Sequence, residues 1–82
     1  METEAVKRIL KNLYKKDCIG AKHTSTTNAL KGLPKHLRGE GEKTLKQLRT
    51  LGYVTFHPTS YGMEVSLNPA KIKEIETLIE NT

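Results

Sequence analysis

The chain changes from a helical to an extended pattern within one short stretch, KTLKQLRTLGYV (residues 43–54). Its three leucines are spaced by three residues, which predicts one apolar side of a helix over residues 40–51. Gly52 ends this helix, because glycine readily adopts the left-handed conformation that follows a helix. From Tyr53 onward polar and apolar residues alternate, which indicates a half-buried strand. The stretch therefore predicts a helix that runs directly into a strand.

Weaker signals on both sides complete the predicted order of elements. Residues 53–57 and 63–67 indicate the two strands of a hairpin, since the segment Pro58–Gly62 between them has turn composition. Other segments show the apolar spacing or the capping residues that are typical of helices. We expect helices over residues 3–16, 25–31 and 69–80, an extended piece at 19–22, and a loop with one helical turn at 33–39. This order predicts the α+β class.

Length and composition limit what the chain can do. It has 82 residues, one cysteine and a net charge of +5 from 14 basic and 9 acidic side chains. Such a chain forms one domain, residues 1–82, without room for both a cofactor cavity and a substrate cleft. We therefore expect no enzymatic activity and no cofactor. Because Cys18 has no disulfide partner and no apolar stretch could span a membrane, we expect a cytoplasmic protein.

The positive charge is concentrated in the first half of the sequence. Residues 1–41 carry nine basic and four acidic side chains, whereas residues 42–82 carry five of each. A positive surface on a small domain favours a polyanionic partner, since each neutralised phosphate releases counterions. Ordinary solvation by lysine is the alternative, and charge alone does not decide between the two.

The order helix, short piece, helix, helix and hairpin resembles the winged helix-turn-helix family. The most specific part is residues 43–54, which look like the third helix of prokaryotic winged-helix transcription regulators running into the first strand of the wing. The resemblance covers roughly residues 5–67 and implies a three-helix core, a β-hairpin wing and an additional C-terminal helix. Two features depart from the family pattern: the connection Gly32–Gly39 is longer, and the wing tip lacks Lys or Arg.

One face of the predicted third helix points away from its leucines at 100° per residue. This outward face carries Lys43, Lys46, Gln47 and Thr50. Lysine can donate to guanine acceptors and glutamine can pair with adenine, so the resemblance implies that this face contacts bases in the major groove. A merely solvated helix face is the alternative.

Other candidate DNA contacts flank the third helix. The hydroxyls before the second helix, together with nearby helix N–H groups, could hold a phosphate. The wing offers polar and aromatic side chains to a minor groove or a sugar-phosphate edge. These candidates are Thr24, Ser25, Thr26, Lys35 and Arg38 before the third helix, and His57, Thr59, Ser60 and Tyr61 in the wing. Simple capping would equally explain the hydroxyl run, and Tyr61 could instead fold back over its hairpin.

The sequence offers no constellation for metal binding or catalysis. Cys18, His23, His36 and His57 are separated by 5, 13 and 21 positions, without the paired half-sites of structural zinc. The sequence has no nucleophile-elbow pattern, and Gly39-Glu-Gly41 lacks the ending of a phosphate loop. We interpret Gly39-Glu-Gly41 as a flexible helix start, and we expect no metal.

These features together predict a winged-helix domain that binds double-stranded DNA as a small transcriptional regulator. The alternative is a protein-interaction module of a larger nucleic-acid machine, which the neutral second half and the cation-poor wing favour. RNA binding is a third hypothesis, although the few aromatic residues provide no stacking platform. The amphipathic terminal helices could also pair two copies into a homodimer that contacts two half-sites, with a monomer as the alternative.

Overall fold

The computed structural model describes residues 3–80 and opens with helix α1 (Thr3–Lys15). The elements that follow are β1 (Thr24–Ser25), α2 (Thr26–Ala29), a 3₁₀ helix (Lys35–Glu40), α3 (Gly41–Thr50), β2 (Val54–Thr59), β3 (Gly62–Leu67), a 3₁₀ turn (Pro69–Lys71) and α4 (Ile72–Glu80). Across residues 3–80 these form four α-helices and a three-stranded antiparallel sheet, which confirms the α+β class. The predicted domain also includes residues 1–2 and 81–82, which lie outside the described part.

The core lies between the helices and one face of the sheet. Helix α1 is amphipathic because Val6, Ile9, Leu10 and Leu13 recur at helical spacing, and all four side chains are buried. The helix predicted over residues 3–16 is therefore confirmed, with its end at Lys15. Other elements contribute further buried side chains to the same core: Leu45 and Leu48 of α3, Val54 of β2, Val65 and Leu67 of β3, and Ile75 of α4.

The predicted hairpin is present, with a shorter turn than the sequence suggested. Strands β2 and β3 pair from Val54 opposite Leu67 to Thr59 opposite Gly62, so only residues 60–61 form the turn. Pro58 lies inside β2 rather than in the turn. This position suits proline because β2 is an edge strand, where one backbone N–H group can be missing without breaking a central ladder.

A third strand, β1, is not apparent from the sequence. Thr24 pairs with Val65 and Ser25 with Glu64, which gives the strand order β1-β3-β2. A strand of two residues has no measurable alternation, so periodicity could not reveal it. Of the extended piece expected at 19–22, Ile19 alone makes a bridge.

The connection between α2 and α3 is helical rather than open. Ser25 caps α2 by accepting the Asn28 N–H (3.1 Å), but the helix covers only residues 26–29 of the predicted 25–31. The 3₁₀ helix then occupies most of the segment where the sequence predicted a loop with one helical turn. Its Leu37 packs with Leu33 and with Ala5 of α1 in a small second cluster, which fixes the start of α3.

The buried side of α3 differs from the prediction at one position. Its buried residues are Gly41, Thr44, Leu45 and Leu48. Leu51 is 51% exposed, so its assignment to the apolar side was wrong. The reason is that Leu51 follows the last helical residue, where the chain turns away toward β2 through the positive φ of Gly52 (+87°).

Gly41 is a close packing position rather than the flexible helix start that the sequence suggested. A Cβ atom there would lie 3.0 Å from Leu30 Cδ2 and 3.1 Å from Leu33 Cδ1. We expect Gly41→Val to lower the free energy of unfolding by about 1–3 kcal/mol, as overpacking typically does. Urea denaturation followed by circular dichroism measures this change.

Gly39 provides the matched control two positions earlier in the chain. A Cβ atom built there has nothing within 4 Å, so Gly39→Val should change the free energy of unfolding by less than about 0.5 kcal/mol. Equal losses in the two variants would show that backbone freedom, and not close packing, explains the glycine at the start of α3.

Helix α4 is joined to both α3 and α1. The Asn68 side chain accepts the Ala70 N–H (3.0 Å) and donates to Gly52 O (2.7 Å), which links the start of the last helix to the end of α3. The Tyr14 hydroxyl of α1 donates to the Glu76 carboxylate (2.5 Å), and this hydrogen bond raises the pKa of the phenol. The terminal helices therefore pack against each other within one chain. The homodimer predicted through them stays a prediction.

Candidate nucleic-acid interface

The outward face of α3 forms an open groove of about 540 Å³. Lys43, Lys46 and Thr50 are exposed on this face, Gln47 is half-buried, and Leu51 completes the lining. The structure thus brings together the four residues that the sequence assigned to the outward face. None of these five lining residues is acidic, so the groove presents two cations without a neighbouring carboxylate in its wall.

This face is exposed because the opposite side of α3 is anchored in the core. At its C-terminal end, the Tyr53 N–H donates to Leu48 O (2.9 Å) and the Gly52 N–H donates to Arg49 O (3.0 Å). These bonds satisfy carbonyl groups that a helix end would otherwise leave unpaired. The helix and the residue that directly precedes β2 are therefore held in one arrangement.

A narrower cleft of about 210 Å³ lies between α3 and the hairpin. Its lining consists of Thr26, Glu42, Leu45, Lys46, Phe56 and Met63. Thr26 of the predicted hydroxyl run therefore lies near Lys46. Glu42 adds a carboxylate, which makes this cleft less favourable for a phosphate than the outward groove.

Arg49 is a candidate contact that the sequence reasoning missed. Its guanidinium carbon lies 4.6 Å from the ring centroid of Phe56, a cation–π arrangement that holds the side chain between α3 and the hairpin. A guanidinium held in this way is suited to bind a phosphate oxygen. Two sequence features could have indicated it: an arginine at the flank of the helix, and an aromatic residue in the strand that follows directly.

The remaining hydroxyl candidates before α3 are engaged in local hydrogen bonds. Ser25 caps α2, and the Thr24 hydroxyl accepts a hydrogen bond from Asn28 Nδ2 (2.9 Å). Lys35 and Arg38 are exposed on the 3₁₀ helix, and neither lines the outward groove or the cleft. The structure therefore does not gather these four residues with the α3 face.

The tip of the hairpin is ordered by Thr59. Its hydroxyl donates to Gly62 O (2.7 Å) and accepts the Tyr61 N–H (3.2 Å), which closes the turn. Ser60 is exposed, and the Tyr61 ring is 98% exposed, so it does not fold back over the hairpin. The tip therefore exposes the Tyr61 phenol and the Ser60 hydroxyl.

His57 lies on the sheet face opposite α3, because successive residues of β2 point to opposite sides. Its Nε2 lies 2.8 Å from the Ser66 hydroxyl, which donates to Gly20 O (2.9 Å). The ring stacks on His23 with 4.6 Å between centroids, and His23 Nδ1 lies 2.5 Å from a Glu64 oxygen. His57 is therefore engaged in packing on that face and is not brought together with the α3 residues.

The cysteine and histidines singled out in the sequence do not converge. Cys18 is buried, with its sulfur 3.8 Å from Lys16 O, and His36 is exposed on the 3₁₀ helix. Only His23 and His57 lie together. Within the described part of the chain, no group of three His, Cys, Asp or Glu side chains is arranged to hold a metal ion.

The chain was compared with protein families, curated proteins and solved structures. No protein-family model, curated protein or solved structure matches the chain. Among residues 3–80, no helix is both long and apolar enough to cross a membrane.

Proposed function

We propose that this chain is a winged helix-turn-helix domain that binds double-stranded DNA, with α3 in the major groove, and that it acts as a small transcriptional regulator. The observation that carries the proposal is the outward groove of α3. It combines two exposed lysines, a glutamine and a threonine in a lining without an acidic residue. A face of this composition can donate hydrogen bonds to base edges and to phosphates.

The dimensions of α3 support this proposal. Ten helical residues extend about 15 Å at 1.5 Å per residue, and the major groove is ~12 Å wide. Lys43 and Lys46 can donate to guanine O6 and N7, and Gln47 can pair with adenine N6 and N7. Because the C-terminal end of α3 is hydrogen-bonded to the start of the hairpin, the helix would enter the groove without first having to become ordered.

The elements around α3 are compatible with a winged-helix layout. The hairpin follows α3 directly, and Arg49, held over Phe56, would bind the phosphate backbone between helix and wing. Tyr61 at the exposed tip would contact the minor groove or a sugar-phosphate edge. The wing therefore contributes an aromatic tip, and Arg49 of α3 supplies a cation beside it in place of the tip cation that the sequence lacks.

The test is the salt dependence of duplex binding, measured by fluorescence anisotropy with a labelled duplex of mixed sequence. Phosphate contacts by the three cations of this surface, Lys43, Lys46 and Arg49, give a log–log slope of about −3, so the affinity should fall roughly 40-fold between 50 and 200 mM salt. A duplex of the same sequence with uncharged methylphosphonate linkages is the control, and its binding should depend little on salt. Absence of binding, or a flat salt response with the natural duplex, would contradict the proposal.

A protein-interaction module is the second candidate, and one observation favours it. Two large apolar side chains at the edge of the proposed interface are exposed: Leu51 (51%), which lines the outward groove at the end of α3, and Met63 (41%) on β3. Exposed apolar residues beside polar ones are common at protein interfaces. A protein partner would be captured without duplex and would lose affinity on Leu51→Ser, whereas duplex binding would tolerate that change.

A further inference from the structure

A second cationic groove, of about 410 Å³, lies between the C-terminal half of α1 and the end of α2. Its lining consists of Arg8, Asn12, Lys15, Lys16, Asn28, Lys31 and Gly32. None of these described residues is acidic, and none of the four cations forms an ion pair within residues 3–80. Four positive charges therefore converge on one open groove, and no carboxylate belongs to its lining among residues 3–80.

Both walls of this groove are fixed by hydrogen bonds. Asn12 Nδ2 donates to Ala29 O (2.9 Å) and to Lys31 O (2.7 Å), which holds the end of α2 against α1. The chain then turns at Gly32 with a φ of +77°, where a Cβ atom would lie 3.9 Å from Arg8 Cδ. Cations from both elements are thus kept side by side by the fold.

The groove is separate from the α3 face. Helices α1 and α3 pack their buried sides into the same core, so their exposed sides face different directions. The start of α2 lies at the cleft beside α3, whereas its end lies at the cationic groove. The two surfaces share no lining residue.

The character of the groove identifies the class of ligand. Small-molecule sites are usually enclosed, whereas this groove is open and six of its seven lining side chains end in a charged or an amide group. Four cations on one groove match a ligand that carries successive negative charges, since neutralising each phosphate releases a counterion. We infer that the cationic groove binds the phosphodiester backbone of a nucleic acid, so that one chain holds two duplex segments, one at α3 and one here. The inference that the groove binds a phosphodiester backbone depends only on the residues of the groove. The inference that one chain holds two duplexes also rests on the proposed function of α3.

The first experiment maps amide chemical shifts of the full chain during titration with a duplex of mixed sequence. We expect the Gly32 and Lys31 signals to shift in the wild type and in the α3 variant Lys43→Ala/Lys46→Ala. The Gly32 signal should not shift in the groove variant Lys16→Ala/Lys31→Ala. If Gly32 does not shift in the α3 variant, the groove proposal is overturned. If Gly32 shifts but the α3 signals of the wild type do not, the proposed function fails while the groove stands.

The second experiment measures bridging between a bead-bound duplex and a free fluorescent duplex. The wild type should retain the fluorescent duplex on the beads, and the groove variant should retain it at least about tenfold less, while its affinity for a single duplex falls much less. The control Lys22→Ala/Lys73→Ala removes the same charge from exposed sites outside both grooves and should bridge like the wild type. If the groove variant bridges as well as the control, the inference is overturned. A dimer that bridges the two duplexes through its two α3 faces would give this result.

The chemical selectivity of the groove is tested with a polyglutamate chain. We expect the titration of the Gly32 signal to give an affinity for polyglutamate at least about tenfold lower than for duplex at the same total charge. The reason is that carboxylates are less closely spaced along the polymer and carry no phosphate oxygens. Equal affinity for the two polymers would overturn the assignment to a phosphodiester backbone.

Discussion

Leu48→Ala should bring this domain close to unfolding, with a loss of about 3–5 kcal/mol in the free energy of unfolding. Leu48 is fully buried in the cluster that joins α1, α3, the sheet and α4. Truncating it removes buried apolar surface and leaves a cavity that the surrounding helices can only partly fill. A chain of 82 residues has a total stability of roughly 4–12 kcal/mol. Urea denaturation followed by circular dichroism measures the loss directly.

Leu51→Ala is the matched control, since it is the same substitution three residues later in the chain. Leu51 is 51% exposed at the end of the helix, so we expect a loss below about 1 kcal/mol. A loss as large as that of Leu48→Ala would show that the end of α3 is buried, either in the core or against a second copy. Either result would remove the open groove on which the functional proposal depends.

The long elements could be predicted because their patterns repeat. Helix α1 shows the apolar stripe Val6, Ile9, Leu10 and Leu13, and the hairpin shows alternation in both strands, so hydrophobic burial dictates the same structure that the local pattern indicates. The outward face of α3 was also predictable. It is the side opposite the buried leucines, and an error at Leu51 shifts the centre of the buried side only slightly.

The short elements could not be predicted because tertiary pairing forms them. Strand β1 has two residues and exists because β3 offers a free edge to Thr24 and Ser25. The packing role of Gly41 depends on Leu30 and Leu33, which the 3₁₀ helix brings toward it. Periodicity in the sequence cannot indicate these contacts, because each contact joins a few residues from different elements.

The candidate site was predicted only in part, because some of its contacts also depend on tertiary pairing. Side chains on one helix, such as Lys43 and Lys46, share a face through helical geometry alone. His57 and Arg49 depend on what the sheet places beside them: His57 packs on His23, and Arg49 packs on Phe56. The cationic groove brings Arg8 together with residues more than 20 positions later. Counting charges along the sequence shows only that the first half has an excess of positive charge, not that these side chains meet.

The double substitution Lys43→Ala/Lys46→Ala should weaken duplex binding roughly 30-fold or more, because a lysine contact to a base or phosphate contributes about 1–3 kcal/mol. Both side chains are exposed and lie in the acid-free groove of α3, so the fold should remain intact. Fluorescence anisotropy at several salt concentrations measures the affinity, and a thermal melt monitored by circular dichroism checks the fold. The salt slope separates the two kinds of contact. It should decrease by about 1 for each lysine that binds a phosphate and stay nearly constant for a lysine that binds a base edge.

The control for this loss is Lys22→Ala/Lys73→Ala, which removes two exposed lysines and leaves the same net charge of 5 − 2 = +3. If the domain bound DNA only through its overall charge, both double variants would lose affinity equally. If α3 lies in the major groove, the control pair should lose at least about tenfold less affinity for duplex than the α3 pair. The reason is that close contacts then account for most of the lost affinity, since salt screens the long-range field within about 10 Å. Equal losses would therefore reject the docking of α3 while leaving non-specific polyanion binding in place. The comparison thus tests the position of the helix and not merely the charge of the protein.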